Sequence, residues 1–416
     1  MPDRSRLAKN TAFQYGLQLA KYLFPFVTVA YLTRALGPDV YAIRAYVMAA
    51  MTFMLMFLEF GFTTYGTKSI AEATSRDEEC IETSAITYTR IGLSVAGAIV
   101  LIPITIALPL MAANPVYVAI AYIGTCFKAY LPDYIFRGQE DMGIITYRYV
   151  VSQIVAVGLI FLLVNGPADL LLVPVLEGLG ALIALVWSWE NVFRKRGIKL
   201  VHVGSQRLKS VFGESTIYFI STASTGILSS ITLLFIGYFI TDAAQVSYWS
   251  IAMTAVVAVQ ALYSPITNSL FPHMVKRKDF DIFKKLMLVG MPVVLVGTIA
   301  FALLDNVIML LLGGEEFMAG AYMIALVSPI LFFSYPAQML GTPVLAAVGR
   351  VRQMTISSVT ACLFQIIGLI LLAAMGAFTI EAVAILRCSS EAVLFVVRAI
   401  FAMQYFREQK TSSASC

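Results

Sequence analysis

Lys21, Arg44, Glu59, Lys128, Asp133, Glu177, Arg387 and Glu391 are ionisable side chains set within long apolar stretches of the chain. Such residues mark substrate or ion paths more readily than they serve packing. Lys21 and Lys128 fall near mid-span, where a lysine costs about 2.5–3.5 kcal/mol even on the lenient insertion scale. From there the Lys21 ammonium cannot easily reach either interface. Arg44 lies near the outer end of its span and also fits a cation that snorkels outward. Glu59 and Asp133 lie towards inner ends and also fit boundary carboxylates that reach the cytoplasm. Arg387 and Glu391 are four residues apart, so they also fit a simple pair on one helix. The chemistry these residues offer is ionic binding or ion passage. No nucleophile–base pair stands out, the five cysteines have no metal-ligand spacing, and neither a disulfide nor a metal site is expected.

Polar stripes run alongside these charges at helical spacing. The first span aligns Thr11, Gln14, Gln18, Lys21, Pro25 and Thr28, and the second Arg44, Thr52 and Glu59. The seventh aligns Glu214, Tyr218, Ser221, Thr225, Ser229 and Thr232, and the eighth Gln260, Ser264 and Asn268. Unpaired polar groups facing hydrocarbon cost several kcal/mol each. The stripes must therefore face other helices or water. For serine and threonine alone, interhelical hydrogen bonding accounts for them. For the stripes with Lys21 or Glu59, a functional path is the stronger reading.

The elements that must carry these residues are membrane helices. The chain is 59% hydrophobic and only 13% charged. A bilayer core needs about 20 apolar residues per helix. The sequence predicts twelve spans, at 11–33, 40–62, 85–111, 115–136, 144–164, 169–191, 214–240, 245–270, 286–311, 318–342, 353–376 and 379–405. Lysine and arginine concentrate in alternate loops, with only Arg34 and Arg44 on the other side, so both termini are expected in the cytoplasm. The first span is too long for a signal-peptide core and is expected to remain as a helix. The net charge of +5 reflects this loop bias and not nucleic-acid binding. The basic stretch 192–212 separates an N-terminal six-helix lobe, 1–191, from a C-terminal lobe, 213–405, followed by a tail, 406–416. A faint parallel repeat relates the lobes at an offset of about 205–208 residues.

Three motifs, in order, resemble the Wzx-type polysaccharide or O-antigen flippases of the multidrug/oligosaccharidyl-lipid/polysaccharide transporter superfamily. After a matching stretch from Asn10 through Gln14, they are Leu32-Thr33-Arg34-Ala35-Leu36-Gly37-Pro38 with Tyr41, then Glu59-Phe60-Gly61-Phe62 followed by Gly66-Thr67-Lys68-Ser69-Ile70-Ala71, and Pro132-Asp133-Tyr134-Ile135-Phe136-Arg137-Gly138-Gln139-Glu140-Asp141-Met142. Ala42, Glu59 and Arg137 depart from the usual glycine, aspartate and glutamine, and Arg44 adds a cation. The resemblance covers the first 150 residues well and the remainder mainly by topology.

The resemblance implies an all-α polytopic protein of the bacterial inner membrane, with two six-helix lobes around a central cavity. It implies a cargo of polyprenyl-diphosphate-linked oligosaccharide, moved by alternating access for O-antigen, capsule or exopolysaccharide assembly. Lys21, Arg44, Lys128 and Arg387 are then the expected diphosphate partners. Gln14, Gln18, Ser221, Thr225 and Gln260 are the expected sugar contacts. Proton or sodium coupling would run through Glu59, Asp133 or Glu391, with no cofactor. Membrane lipids are implied partners, and a polysaccharide polymerase and glycosyltransferases are candidates. Rival readings are a drug or cation exporter, which would favour acidic cavity residues, and a peptidoglycan-precursor flippase, which often carries two more helices. A membrane polymerase or ligase would need an outward catalytic platform that the short loops do not supply.

Overall fold

The computed structural model describes residues 4–414 apart from 241, 264–265, 268–269, 272–273 and 275–279, with side chains described over 13–408 apart also from 217 and 220–230. Among the described residues the chain is helical, with no strand. The first two expected spans form one long element, α1 (Arg4–Glu59), made of two helices that meet at Gly37. Gly37 has φ 72° and ψ 171°, a geometry open to a residue without Cβ. Pro38 follows and has no N–H to continue the ladder. The expected turn at Leu36-Gly37-Pro38 is therefore a one-residue break.

A second break closes α1. Phe60 and Gly61 both have positive φ, 39° and 74°, and α2 (Phe62–Glu72) starts directly after them. The next helix, α3 (Arg76–Ala107), begins with a Ser-x-x-Glu cap. The Ser75 hydroxyl accepts from the Glu78 N–H at 3.2 Å. The Thr74 N–H and hydroxyl donate to the Glu78 carboxylate at 2.7 and 3.0 Å. Those bonds hold the Glu78 carboxyl below its ordinary value.

The expected span 115–136 is in two pieces, α4 (Pro115–Ala129) and α5 (Asp133–Gly138), with Pro132 between them. Then come α6 (Met142–Leu163) and α7 (Leu172–Glu190). Small residues let these helices approach closely. A Cβ on Gly124 of α4 would lie 3.2 Å from the Gly178 Cα of α7, and one on Gly180 would meet the Ala156 Cβ of α6 at 2.7 Å. This contact face fixes the neighbouring Glu177.

Two compact units, Met1–Gly226 and Ile227–Cys416, account for the chain. The boundary between them lies inside α8 (Ser205–Phe239), downstream of the basic stretch 192–212. The start of α8 packs into the first unit because Phe60 stacks on Phe212 and Phe219 at 4.5 and 4.4 Å. The basic stretch is docked too: the Lys199 N–H donates to the Cys80 Sγ at 3.3 Å and the Val201 N–H to the Ser84 Oγ at 2.8 Å.

The second unit comprises the rest of α8 with α9 (Ala243–Gln260), α10 (Phe280–Leu303), α11 (Tyr322–Ala346), α12 (Val351–Ala374) and α13 (Ile380–Ala414). Tyr263, Met274, Tyr335, Met339, Val344 and Ala402 form part of its buried core. Its outer faces are apolar: Leu288, Val289, Val293 and Val296 of α10 are 77%, 65%, 65% and 66% exposed. Such a face suits hydrocarbon and not water.

The chain is an integral membrane protein. Among the described residues, eight helical stretches are long and apolar enough to cross a bilayer. Twelve spans were expected; of the four not counted, the seventh, 214–240, includes residues whose side chains are not described. Phe13–Glu72 counts as one stretch, α4 has only 15 residues, and α13 carries Glu381, Arg387, Glu391 and Arg398.

Candidate functional site

The breaks in α1 and between α4 and α5 bring charges together within the first unit. Asp133 and Arg137 sit one turn apart on α5, directly after Pro132. Arg148 of α6 is 2% exposed, and its Nη2 lies 2.8 Å from Asp133 Oδ1. That contact is an ion pair without hydrogen-bond alignment, since Asp133 Oδ1 accepts no hydrogen bond. The Arg148 Nη1 donates to the Ser188 hydroxyl of α7 at 2.6 Å. Arg90 of α3 is 3% exposed. Its Nη1 donates to the Leu131 carbonyl at 3.1 Å, and its guanidinium lies 5.6 and 5.4 Å from the Phe62 and Tyr134 ring centres.

Lys21 and Glu59 of α1 complete the group. Lys21 is exposed to the surroundings of the unit and interacts electrostatically with Arg137, Asp133, Glu59 and Arg148. Glu59 interacts with Arg90, Asp133, Lys21 and Arg137. Four cations thus face two carboxylates, an excess of two positive charges. Among the described residues, Lys21, Arg90 and Arg137 form no ion pair. The Nε atoms of Arg90, Arg137 and Arg148 are buried without a hydrogen-bond partner. Arginine does not shed its proton to escape burial, and a desolvated, under-paired cation is costly. The cluster therefore carries more formal positive than negative charge, with part of its arginine donor capacity unspent.

A second group lies elsewhere in the same unit. Arg44, 9% exposed, pairs with Glu177 of α7 through a 2.7 Å Nη2–Oε1 hydrogen bond. Its guanidinium sits 5.8 Å from the Tyr41 ring centre. Lys128 of α4 is half-buried and acts electrostatically on Glu177. Arg44 neither snorkels outward nor stands as a free cation. In the second unit Arg387 pairs with Glu391 at 2.8 Å, both buried, as their spacing allows. Arg398 of the same helix donates to the Ala337 carbonyl at 2.6 Å and to Ser357 and Ser358.

The structure brings Lys21, Glu59 and Asp133 into one cluster. Lys128 and Arg44 belong to the other group, and Arg387 and Glu391 are in the second unit. Gln14 and Gln18 are exposed on α1, and Gln260 is half-buried at the end of α9. Ser221 and Thr225 lie outside the residues whose side chains are described. The hydroxyls of Thr28 and Thr52 donate to carbonyls of their own helix at 2.8 and 2.9 Å, so part of each stripe is satisfied locally. The sequence reading singles out neither Arg90 nor Arg148, and it marks Arg137 only as a departure from the family's glutamine. The signal was present, since Arg90 and Arg148 both fall inside predicted spans.

A family model described as "Polysaccharide biosynthesis protein" matches residues 7–278. The chain belongs to this family. The matched stretch contains both charged groups of the first unit. This family member is 27% identical over 273 residues to the "Putative O-antigen transporter" of Escherichia coli (strain K12), covering 65% of the chain and 66% of that protein. The protein of the same description from Shigella dysenteriae is 25% identical over 292 residues, covering 67% and 70%. The chain thus spans about two thirds of the length of these relatives. Among solved structures, an inward-facing multidrug resistance MATE family transporter of the MOP superfamily superposes with a TM-score of 0.75 at 13% identity, covering 95% of this chain and 96% of that one. The lipid II flippase MurJ, in an inward closed conformation, gives a TM-score of 0.75 at 12% identity, covering 95% and 87%. At these identities the likeness is one of fold, and the fold is that of the MOP transporters.

Proposed function

We propose that the chain is a flippase that moves polyprenyl-diphosphate-linked oligosaccharide units across the bacterial inner membrane for surface polysaccharide assembly. The observation that carries this reading is the cluster of Lys21, Arg90, Arg137 and Arg148 against Glu59 and Asp133. A diphosphate diester carries two negative charges, which match the two uncompensated positive ones. Arginine offers paired N–H groups to phosphate oxygens, and lysine a mobile point charge. The lipid tail can stay in the bilayer while the head group occupies the charged site. A cationic drug would meet repulsion there, which speaks against an exporter despite the shared fold.

The transport cycle is alternating access by movement of one lobe against the other. Lys128, Arg44 and Arg387 act as further diphosphate contacts along the path when their carboxylate partners release them. Gln14, Gln18, Ser221, Thr225 and Gln260 contact sugar hydroxyls. Proton or sodium coupling runs through Glu59, Asp133 or Glu391. The protein works beside a polymerase and glycosyltransferases and makes no covalent bond itself. Reconstituted transport of the lipid-linked unit tests the reading. Lys21→Ala should slow it while the variant stays folded, and full transport by that variant would remove the diphosphate assignment.

A further inference from the structure

A cavity of about 240 Å³ opens in the first unit, lined by Tyr65, Lys68, Ser69 and Glu72 of α2 and by Glu214 and Tyr218 of α8. It shares no lining residue with the cation cluster. Its walls are held in place by a buried carboxylate. Glu82 of α3 is 7% exposed, and its Oε2 accepts the Tyr65 and Ser69 hydroxyls at 3.0 and 3.1 Å. Its Oε1 accepts the Arg207 Nε at 3.0 Å and also pairs with Arg207 Nη2. Arg207 Nη2 reaches the Tyr65 hydroxyl at 3.3 Å as well. One carboxylate therefore ties α2, α3 and the start of α8 together around the cavity.

This arrangement decides what the cavity offers. The Tyr65 and Ser69 protons are spent on Glu82, so those oxygens present lone pairs. Glu72 and Glu214 are carboxylates and can only accept. Ser210 donates to Glu214 at 2.8 Å, and Lys68 stands 4.0 Å from Glu72, which leaves acceptor capacity on both. The lining favours a ligand rich in O–H or N–H donors. One ammonium against two carboxylates disfavours an anionic ligand. The volume lies below the roughly 300–1,000 Å³ of drug-sized sites, which suits a single ring. Two phenol rings add flat apolar walls of the kind that cover the C–H face of a pyranose.

We propose that this cavity binds one neutral or amino-bearing sugar ring of the cargo and discriminates against uronic acids. The inference rests on the flippase reading, because that reading supplies the sugar. The test uses the full chain in lipid nanodiscs with three probes: polyprenyl diphosphate, the same lipid bearing one neutral hexose, and the same lipid bearing one uronic acid. The wild type should bind the neutral-sugar lipid more tightly than either other probe. Glu72 and Glu214 are exposed, so the double variant Glu72→Ala/Glu214→Ala should fold. It should bind the neutral-sugar lipid about tenfold more weakly, the scale of one lost charge-assisted hydrogen bond, and bind the bare lipid as the wild type does. Equal affinity of the variant and wild type for the neutral-sugar lipid overturns the inference while leaving the flippase reading intact. A wild type that binds none of the three lipids overturns both.

Discussion

Replacing Arg137 separates binding from stability. Arg137 forms no ion pair among the described residues and leaves its Nε buried without a partner. Arg137→Gln keeps much of the length and removes one charge, so the cluster's excess falls from two positive charges to one. A hydrogen bond to a charged group is worth about 1.5–3 kcal/mol, and each 1.4 kcal/mol is tenfold in affinity. The variant should therefore bind polyprenyl diphosphate about 10–100-fold more weakly. Its thermal unfolding in detergent should change little, because no native ion pair is lost. Arg148→Met removes a charge as well, but it should also lower stability. It leaves Asp133 in the cluster without its 2.8 Å ion pair, and breaking a buried pair on one side costs about 3–5 kcal/mol. Titration of the purified protein with the lipid, alongside thermal unfolding, measures both effects. Unchanged affinity in Arg137→Gln would refute the reasoning, because the unpaired cation would then have no anion to bind.

Four further outcomes follow from the same structure. Glu177→Leu strands Arg44 in a buried site and should cost about 3–5 kcal/mol, whereas Glu177→Leu with Arg44→Met should recover most of that loss, read by thermal unfolding. Ser75→Ala removes the α3 cap and should cost about 1 kcal/mol. The Glu78 carboxyl, held below its ordinary value by the Thr74 and Ser75 bonds, contributes stability that is present at neutral pH and lost as the pH falls through its folded value, so a melting-temperature profile should decline on that acid side and flatten in Glu78→Gln. Gly61→Ala forces a Cβ to 2.7 Å from the Phe219 nitrogen at φ +74° and should destabilise by more than about 1 kcal/mol, again read by unfolding.

Local signals made part of this legible from sequence. The Gly37-Pro38 break follows from two residues with special backbones, and the Arg387–Glu391 pair follows from i,i+4 spacing. The Arg44–Glu177 pair joins residues 133 apart in sequence, and only the close packing of Gly124 on Gly178 sets its geometry. No periodicity carries that information. Arg148 lies four residues into a predicted span, and only the fold shows Asp133 and Ser188 beside it. The stretch 192–212 reads as a solvated linker by charge, yet its backbone donates to Cys80 and Ser84. The cation surplus was visible as individual charges, but its stoichiometry required α1, α3, α5 and α6 to meet.

The most direct test of the central claim is mass spectrometry of polyprenyl-linked intermediates in a strain lacking this protein, combined with their accessibility at each membrane face. The account predicts accumulation of a complete diphosphate-linked repeat unit confined to the cytoplasmic leaflet. A normal lipid-linked pool, joined by new sensitivity to cationic dyes, would contradict it.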